Sequence, residues 1–362
     1  MKPKIIHFIY DLGRGGAENI LAQILPALKD FDNYIVTFTD RNDFGNEIEA
    51  TQIFCLHTPG IWRIPVAIIR LRKIIKRLRP ALVHSQLTLP NIVARFATPK
   101  KIPLFTSIQN SVKYNVEFKK SFIRLLEKKS LAFRNSHLIF VANSVKQDYD
   151  SFLNVLPQQY SILYNFVNTQ KFFRNINHKK TGNIFKIISV GSLSYQKNFE
   201  FLINSFLKAN IPNIELHIYG EGPMRQKLEQ LIHPHGDKIR LKGIRKNIEE
   251  IINDYDLYVS SSLYEGLSLS VLEAMAAGVP VLLTDIPSFK EQCEDTACYY
   301  EVNNTNDFID KLKFVISHPD IIESNSQNAI KRVEKFYKLE NYTEQLKKIY
   351  AQSILQNNSN NL

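Results

Sequence analysis

Short apolar segments alternate with segments of helical periodicity along this chain, and the whole alternation occurs twice. The strand-like apolar runs cover residues 4–10, 33–39, 81–85, 103–108, 137–143, 186–193, 214–220, 256–262 and 279–285. The helical segments between them include residues 13–28, 62–79, 197–209, 224–232 and 268–277. Strands separated by helices form parallel βαβ units. Two such series in 362 residues predict an α/β chain with two Rossmann-like, doubly wound parallel-sheet domains.

A polar, asparagine-rich stretch at 162–183 separates the two series. We therefore predict one domain over residues 1–168 and a second over 169–339, with a C-terminal helix at about 340–356 that packs back on the first domain. Ligands of parallel sheets bind beyond the carboxyl ends of the strands. Two such domains predict a binding cleft between those ends.

The sequence contains no run of 18 apolar residues, so we expect no transmembrane helix. Its N-terminus lacks a small-residue cleavage site and enters a glycine-rich turn, which favours a first buried strand over a signal peptide. Cys55, Cys293 and Cys298 show neither metal-ligand spacing nor even pairing. A reducing cytoplasm fits this cysteine usage best.

Positive charge is concentrated in the first half of the chain. Residues 1–170 hold 23 Lys and Arg against 12 Asp and Glu, whereas residues 171–362 hold 23 of each. Within 62–134 there are 17 basic residues against Glu117 and Glu127. Such asymmetry predicts a polyanionic partner, either an anionic membrane surface or a nucleic acid. No known nucleic-acid-binding module is present, which favours the membrane.

The most informative motif runs from Ser261 to Pro280. Glu265 follows a strand-like run, a helix is expected from about Ser268, and an anion at its start would meet unpaired amides. We assign the diphosphate of a nucleotide sugar to this turn, at Gly266, Leu267, Ser268 and Leu269. Glu265 and Glu273 lie at most about 12 Å apart along a helix. That spacing suits carboxylates at opposite ends of such a ligand, although an isolated Glu pair would more simply be solvated.

This motif resembles the signature of the GT4 family of retaining glycosyltransferases (glycosyl transferases group 1), a Glu-x7-Glu block continuing as E-A-M-A-x-G-x-P-V. Gly15-Gly16-Ala17-Glu18 is similar to the family's N-terminal G-G-A-E. Residues 162–168 resemble its I-x-Y-N-G-V-D, with Phe166 and Asn168 as departures. The resemblance spans nearly the whole chain. It implies the GT-B fold, in which two Rossmann-like domains face each other across a cleft.

The resemblance also implies roles for individual residues. Lys197 matches a lysine that contacts the donor diphosphate, and Gly15 and Gly16 would approach the same diphosphate from the other domain. Glu265 would position the sugar and Glu273 the ribose. The remaining donor-side position is a turn near the nucleobase, at Gly243 and Arg245.

The chain departs from the family pattern at two positions. Ser192 stands where an arginine is usual, and Arg245 is a candidate for the missing charge. Gln109 stands where the family most often has a histidine near the transferred sugar; an amide can donate a hydrogen bond but cannot carry a proton. His84 ends another strand, which is compatible with a structural role or with a place on the acceptor side.

Two Asp-x-Asp segments, 148–150 and 254–256, superficially resemble metal-binding motifs. The first lies in a predicted helix and the second just before a strand, so neither lies at a strand's carboxyl end. We therefore predict no metal site and no cofactor, the donor being a nucleoside diphosphate sugar of the UDP or GDP type.

These expectations describe a retaining hexosyltransferase that uses a glycan or lipid-linked acceptor, in bacterial surface polysaccharide or lipid-linked glycan synthesis. It would be cytoplasmic and peripheral at the inner face of the plasma membrane. Two alternatives remain open: a sugar-nucleotide epimerase with the GT-B fold, and a catalytically inactive sugar-nucleotide-binding homologue, which Ser192 and Gln109 motivate.

Overall fold

The computed structural model describes residues 2–113, 121–175 and 183–359. The chain forms two compact units. The N-terminal unit comprises Met1–Asn165 with Leu339–Leu362, and the C-terminal unit comprises Phe166–Lys338. Each unit is an α/β unit built on a parallel sheet.

A seven-stranded sheet forms the centre of the N-terminal unit. Its strands are β1 (Lys4–Phe8), β2 (Asp32–Thr37), β3 (Gln52–Cys55), β4 (Leu82–Gln86), β5 (Leu104–Ile108), β6 (His137–Phe140) and β7 (Tyr160–Ile162). All neighbours pair in parallel, in the order β3-β2-β1-β4-β5-β6-β7. The order reverses between β1 and β4, which creates a switch point at their carboxyl ends. Strands β4 and β5 are buried along their whole length, as expected of strands with helices on both faces.

The helices of this unit precede or follow these strands. They are α1 (Gly16–Ile24), α2 (Ile64–Leu78), α3 (Thr88–Ala97), α4 (Ser121–Phe133) and α5 (Asn143–Leu153). Helix α2 has a proline in its first turn, where the missing N–H has no intrahelical acceptor anyway. Its apolar side packs into the core, while most of its cations face outward.

A buried ion pair joins α3 to α4. Arg95 and Glu127 lie 2.7 Å apart with almost no solvent exposure, and the Tyr149 hydroxyl donates to the same carboxylate oxygen at 2.7 Å. Ser130 and Thr106 accept further hydrogen bonds from the Arg95 guanidinium. Burial of an ion pair is favourable only when hydrogen bonds satisfy both charged groups. The contacts of Arg95 and Glu127 largely meet this condition.

The C-terminal unit repeats the plan with six parallel strands. They are β8 (Phe185–Val190), β9 (Ile214–Tyr219), β10 (Ile239–Gly243), β11 (Leu257–Ser260), β12 (Val281–Thr284) and β13 (Cys298–Tyr300). Their order is β10-β9-β8-β11-β12-β13, with the switch point between β8 and β11. The helices are α6 (Phe199–Ala209), α7 (Arg225–Ile232), α8 (Leu269–Ala276), α9 (Pro287–Cys293), α10 (Thr305–Ser317) and α11 (Pro319–Phe336).

The last helix, α12 (Leu339–Ser359), belongs to the N-terminal unit. Tyr350 is fully buried there and contacts His84, while Lys347 pairs with Asp30 at 2.6 Å. None of the helices in the described part of the chain is long and apolar enough to cross a membrane.

The prediction of two parallel-sheet α/β domains is confirmed. All nine predicted strands are present as β1, β2, β4, β5, β6, β8, β9, β11 and β12. The four additional strands, β3, β7, β10 and β13, are the edges of the two sheets.

Candidate active site

The switch point of the C-terminal sheet brings together two loops that are distant in sequence. One follows β8 and ends in a short 3₁₀ turn at Tyr195–Lys197; the other follows β11. The Leu263 amide donates to the Gln196 carbonyl at 2.9 Å, and the Ser261 hydroxyl donates to the Lys197 carbonyl at 2.7 Å. These bonds fix Lys197 beside the loop that carries Glu265.

Lys197 and Glu265 form an ion pair with 2.6 Å between Nζ and Oε1. The Ser262 hydroxyl donates to the same oxygen at 2.8 Å, and Gln196 Nε2 donates to the other carboxylate oxygen at 3.1 Å. Only 9% of the Glu265 side chain and 16% of the Lys197 side chain are exposed. Charge-assisted bonds of this kind are short and strong, so the two groups are held in place before any ligand arrives.

Two glycines leave the space in which the Lys197 side chain lies. A Cβ atom on Gly191 would lie 2.8 Å from Lys197 Cε, so the lysine side chain lies directly over this glycine. Gly220 has φ +146, and a Cβ there would overlap the Gly191 carbonyl oxygen. Gly220 was not predicted as a site residue, although Gly220-Glu221-Gly222-Pro223 directly after a strand is a recognisable turn signal.

Glu273 lies in α8, whose first turn follows the Glu265 loop. Burial, reinforced by Glu249, raises the pKa of its carboxyl to about 8. The buried Tyr258 hydroxyl bonds the Ser270 hydroxyl at 2.8 Å. Burial raises the pKa of Tyr258, and the charges of Glu265 and Glu273 both add to that rise. The two carboxyl groups therefore influence one common hydroxyl. Tyr258 was not predicted as a site residue, because a tyrosine is ordinary within a strand-like run.

The N-terminus of α8 is held by the side chain of Gln292, a contact that the sequence did not predict. Buried Gln292 accepts a hydrogen bond from the Ser268 amide at 3.0 Å and donates to the Ser268 carbonyl at 2.9 Å. The Ser268 amide is thus already engaged, unlike the free donor that the sequence suggested. Gly266 and Leu267 precede the helix. The amides of Leu269, Ser270 and Val271 form its first turn and have no acceptor within the helix, so this end of α8 keeps the donors that an anion site uses.

The other donor-side residues lie at the ends of β8 and β10. Gly243 ends β10 with φ +70, and its carbonyl accepts from the Gly220 amide at 2.9 Å. Arg245 is nearly half exposed and pairs with Glu250 at 3.0 Å. Ser192 is exposed in the loop after β8.

In the N-terminal unit, Gly15 and Gly16 lie exposed at the start of α1. The Glu18 carboxylate folds back over Gly15, into the space that a Cβ atom there would occupy. Burial raises the pKa of Glu18 to about 7, and Asp11 adds to the rise.

A cavity of about 910 Å³ lies next to Glu18, at the carboxyl ends of β1, β4 and β5. Gln109 lines it and donates to Gln86 Oε1 at 3.4 Å. Glu127 also lines it, and its Oε2 atom is buried without a hydrogen-bond partner among the described residues. The cavity therefore offers carboxylate and amide groups to a polar ligand.

His84 lies in the core and does not line this cavity. Its Nδ1 atom contacts the Tyr350 hydroxyl at 2.5 Å and its Nε2 atom contacts the Ser107 hydroxyl at 2.7 Å. Burial lowers its pKa to about 3. These contacts give His84 a structural role that joins β4, β5 and α12. Of the two roles that the sequence left open, the structure favours this one over a place on the acceptor side.

The carboxylates of both Asp-x-Asp segments have structural partners. Asp148 accepts from the Ser111 hydroxyl, Asp150 pairs with Lys146 at 2.5 Å, and Asp256 accepts from the Lys186 amide at 2.7 Å. Across residues 2–113, 121–175 and 183–359, no group of three or more His, Cys, Asp or Glu is arranged to hold a metal ion.

Two family models match the chain: Glycosyltransferase Family 4 over residues 14–171 and Glycosyl transferases group 1 over residues 169–348. The N-acetylgalactosamine-N,N'-diacetylbacillosaminyl-diphospho-undecaprenol 4-alpha-N-acetylgalactosaminyltransferase of Campylobacter jejuni is 25% identical over 92% of this chain and 95% of its own length. The GtfA subunit of the UDP-N-acetylglucosamine–peptide N-acetylglucosaminyltransferase of Streptococcus agalactiae is 34% identical, but over only 38% of this chain and 27% of its own length.

Solved structures show the same fold. HepE from Anabaena in complex with UDP and glucose matches with a TM-score of 0.84 at 15% identity, over 96% of this chain and 99% of that one. Sucrose-phosphate synthase from Thermosynechococcus elongatus matches with a TM-score of 0.81 at 19% identity, over 96% and 98% of the two chains. The protein is therefore a glycosyltransferase with the GT-B fold, and it belongs to the GT4-type family of group 1 glycosyl transferases.

Proposed function

We propose that this protein transfers a sugar from a nucleoside diphosphate sugar to an acceptor hydroxyl with retention of the anomeric configuration. The observation that carries the proposal is the buried Lys197–Glu265 pair, 2.6 Å apart at the carboxyl ends of β8 and β11. Ligands of open parallel sheets bind at such a switch point. The pair presents one cation for a diphosphate and one carboxylate for sugar hydroxyls.

In the proposed reaction, the bond from the anomeric carbon to the diphosphate oxygen breaks as the acceptor oxygen bonds to that carbon. Lys197 offsets the negative charge that grows on the leaving diphosphate, and the start of α8 contributes its positive dipole end. Glu265 accepts hydrogen bonds from sugar hydroxyls. The acceptor proton passes to the leaving phosphate oxygen, so the protein does not need a general base. Retention is inferred from the family.

Glu273 is assigned to the ribose, and Gly243 and Arg245 to the nucleobase side. Arg245 pairs with Glu250 at the surface, and an exposed ion pair is weak enough to rearrange when a ligand binds. Ser192 cannot replace the arginine usual at its position, so Lys197 carries more of the diphosphate charge in this chain.

The names of two relatives suggest which donors to test first. One relative is named for UDP-N-acetylglucosamine and another for N-acetylgalactosamine transfer. We therefore place UDP-N-acetylhexosamines first, followed by other UDP and GDP sugars. A ligand at 100 times its Kd stabilises the folded protein by about 2.7 kcal/mol, which thermal shift detects. No stabilisation by any nucleoside diphosphate or its sugars would contradict the proposal.

Turnover assays separate the alternatives. A transferase consumes the donor much faster when an acceptor is present, whereas an epimerase converts it alone. An inactive homologue, the alternative that Ser192 and Gln109 motivate, would bind the donor and turn over with no member of an acceptor panel.

We also propose a lipid-linked acceptor and a peripheral position at the inner face of the plasma membrane, in bacterial surface polysaccharide or lipid-linked glycan synthesis. The name of the Campylobacter relative includes a diphospho-undecaprenol acceptor. Large apolar side chains are exposed within the basic segment 62–134 of this chain. They are Trp62 (88% exposed), Val66, Ile69, Phe122, Leu125 and Phe133. Cations together with exposed aromatic side chains suit an anionic lipid surface.

This membrane proposal predicts binding to vesicles that contain anionic lipid, reversed by salt because exposed charges are screened beyond about 10 Å at 0.1 M. Replacing Arg72, Lys73, Lys76 and Arg77 by Glu should abolish vesicle binding and leave nucleotide binding intact. Equal partitioning onto neutral and anionic vesicles, or none onto either, would favour a soluble acceptor instead.

A further inference from the structure

A second cavity, of about 1010 Å³, lies in the N-terminal unit at the edge of the sheet where the strands begin. Its walls come from the C-terminal ends of α2, α3 and α4 and from the segments that lead into β4, β5 and β6. Six cations line it: Arg72, Lys76, Arg79, Lys100, Lys101 and Arg134. Among the described residues, the lining contains no acidic side chain.

The described residues around this cavity do not neutralise its positive charge. Within the described part of the chain, none of the six cations forms an ion pair. Three helices end at the cavity, and each C-terminus carries about half a negative charge. Those helix ends offset only about a quarter of the cationic charge, so the cavity retains a strong attraction for anions.

Arg134 is the cation of this cavity that most needs an anionic partner. Only 7% of this residue is exposed, its Nη2 donates to the Ile102 carbonyl at 2.5 Å, and its Nε has no hydrogen-bond partner among the described residues. Burial lowers the pKa of its guanidinium. A buried cation without a carboxylate is unfavourable unless a ligand supplies the charge and the missing acceptor.

Apart from Thr98, the rest of the lining is apolar. Phe96 and Phe133 pack with 5.1 Å between ring centroids, and Phe133 is 52% exposed at the rim. Ile75, Ile102 and the ring of Pro99 complete this side. A free inorganic anion would leave these apolar groups unused, whereas the glycerol and upper acyl carbons of a lipid would cover them.

We propose that this cavity binds the phosphate head group of an anionic phospholipid as an anchoring site. The inference rests on the proposed membrane association but not on the transfer reaction. The bound lipid is not the reacting acceptor, because a five-residue strand such as β4 separates the two edges of the sheet by about 17 Å. The cavity of about 910 Å³ and its acceptor-side groups lie at the other edge.

The test compares two double variants with the same change in charge. Lys100→Glu/Lys101→Glu alters two exposed residues of the cavity, and Lys73→Glu/Lys129→Glu alters two lysines of the same basic segment that do not line it. The probes are dihexanoyl phosphatidylglycerol below its micelle concentration and inorganic phosphate, with binding measured by calorimetry. We expect saturable binding of the lipid, weakened at least tenfold in the cavity variant and less than threefold in the control.

Equal losses in the two variants would overturn the inference in favour of diffuse attraction, and so would the absence of lipid binding to the unaltered protein. Inorganic phosphate binding as tightly as the lipid would identify a phosphate site and overturn the lipid assignment. Thermal stabilisation by nucleoside diphosphates, measured on the same variants, should not change. Absence of lipid binding to an unaltered protein that still binds nucleoside diphosphates would be a failure of this inference alone, whereas absence of nucleotide binding would be a failure of the proposed function.

Discussion

The two units of the molecule use charge in opposite ways. In the C-terminal unit, Lys197 and Glu265 neutralise each other at 2.6 Å, and residues 171–362 carry no net charge. The first half carries a net charge of +11, and many of its cations lie at helix surfaces and helix ends. The first arrangement suits a small ligand that presents a different group to each of the two charges. The second suits an extended anionic surface.

The Arg95–Glu127 pair is the exception in the N-terminal unit, because it is buried and internally neutralised. Replacing Glu127 by Gln leaves Arg95 as an uncompensated buried charge. We expect a loss of about 3–5 kcal/mol in the free energy of unfolding, measured with urea. Asp43→Asn, which breaks the exposed Arg41–Asp43 pair, should have little effect. Similar stability of both variants would show that the buried pair is not a structural element of this unit.

Breaking the Lys197–Glu265 pair should affect the reaction more than the fold. Without its cation, the site loses stabilisation of the leaving diphosphate, and we expect Lys197→Ala to lower kcat by about 10²–10³-fold. Lys227→Ala is the matched control, because Lys227 forms an exposed ion pair with Glu200 in the same unit. Near-normal kcat in the Lys197 variant, with a correctly folded protein, would remove Lys197 from the catalytic assignment.

The position of a strand within its sheet explains whether it could be predicted from the sequence. The nine strands predicted from apolar runs form the interior of the two sheets, as in β5, where all five residues of LFTSI are buried. The missed strands are edges. β3 (QIFC) and β10 (IRLKG) have exposed positions, because an edge strand needs no buried apolar run to keep its place. Its formation depends on the neighbouring strand, which local sequence does not reveal.

Site residues could be predicted where one motif carries them and not where the fold assembles them. Glu265 and Glu273 share a continuous segment with a recognisable family signature. Gln292 holds the Ser268 backbone from another helix 24 positions away, and a lone glutamine gives no sign of this contact. For His84 the sequence left open a structural role or a place on the acceptor side, and only the bond to a helix residue 266 positions away decides between them.

Glu273 should make nucleoside diphosphate binding by the C-terminal unit depend on pH. If it accepts hydrogen bonds from ribose hydroxyls, Glu273→Ala should weaken nucleoside diphosphate binding by about 1–3 kcal/mol. The pKa of about 8 means that the carboxyl is mostly neutral at pH 7 and ionised at pH 9. Because the carboxylate is the better acceptor, affinity should rise between pH 7 and pH 9, a range in which the diphosphate is already ionised.

Two variants check this assignment by calorimetry. Glu273→Gln should bind with an affinity that does not change between pH 7 and pH 9, since its amide does not titrate. Glu229→Ala, at an exposed position of α7, should keep both the affinity and the pH profile of the unaltered protein. A pH profile that persists in Glu273→Gln would assign the titration to another group.

The smallest expected effect is that of a chelator. Asp148, Asp150 and Asp256 are engaged with Ser111, Lys146 and the Lys186 amide, so binding a metal would require these bonds to break. The positive charge that a metal would place on the diphosphate is instead assigned to Lys197 and the start of α8. We therefore expect the transfer rate in excess EDTA to stay within about twofold of the rate in Mg²⁺. A tenfold loss would mean that the metal contributes about 1.4 kcal/mol of transition-state stabilisation. Complete loss of activity in EDTA, restored by Mg²⁺ or Mn²⁺, would contradict this assignment and show that the two held charges of the C-terminal unit are insufficient without a metal.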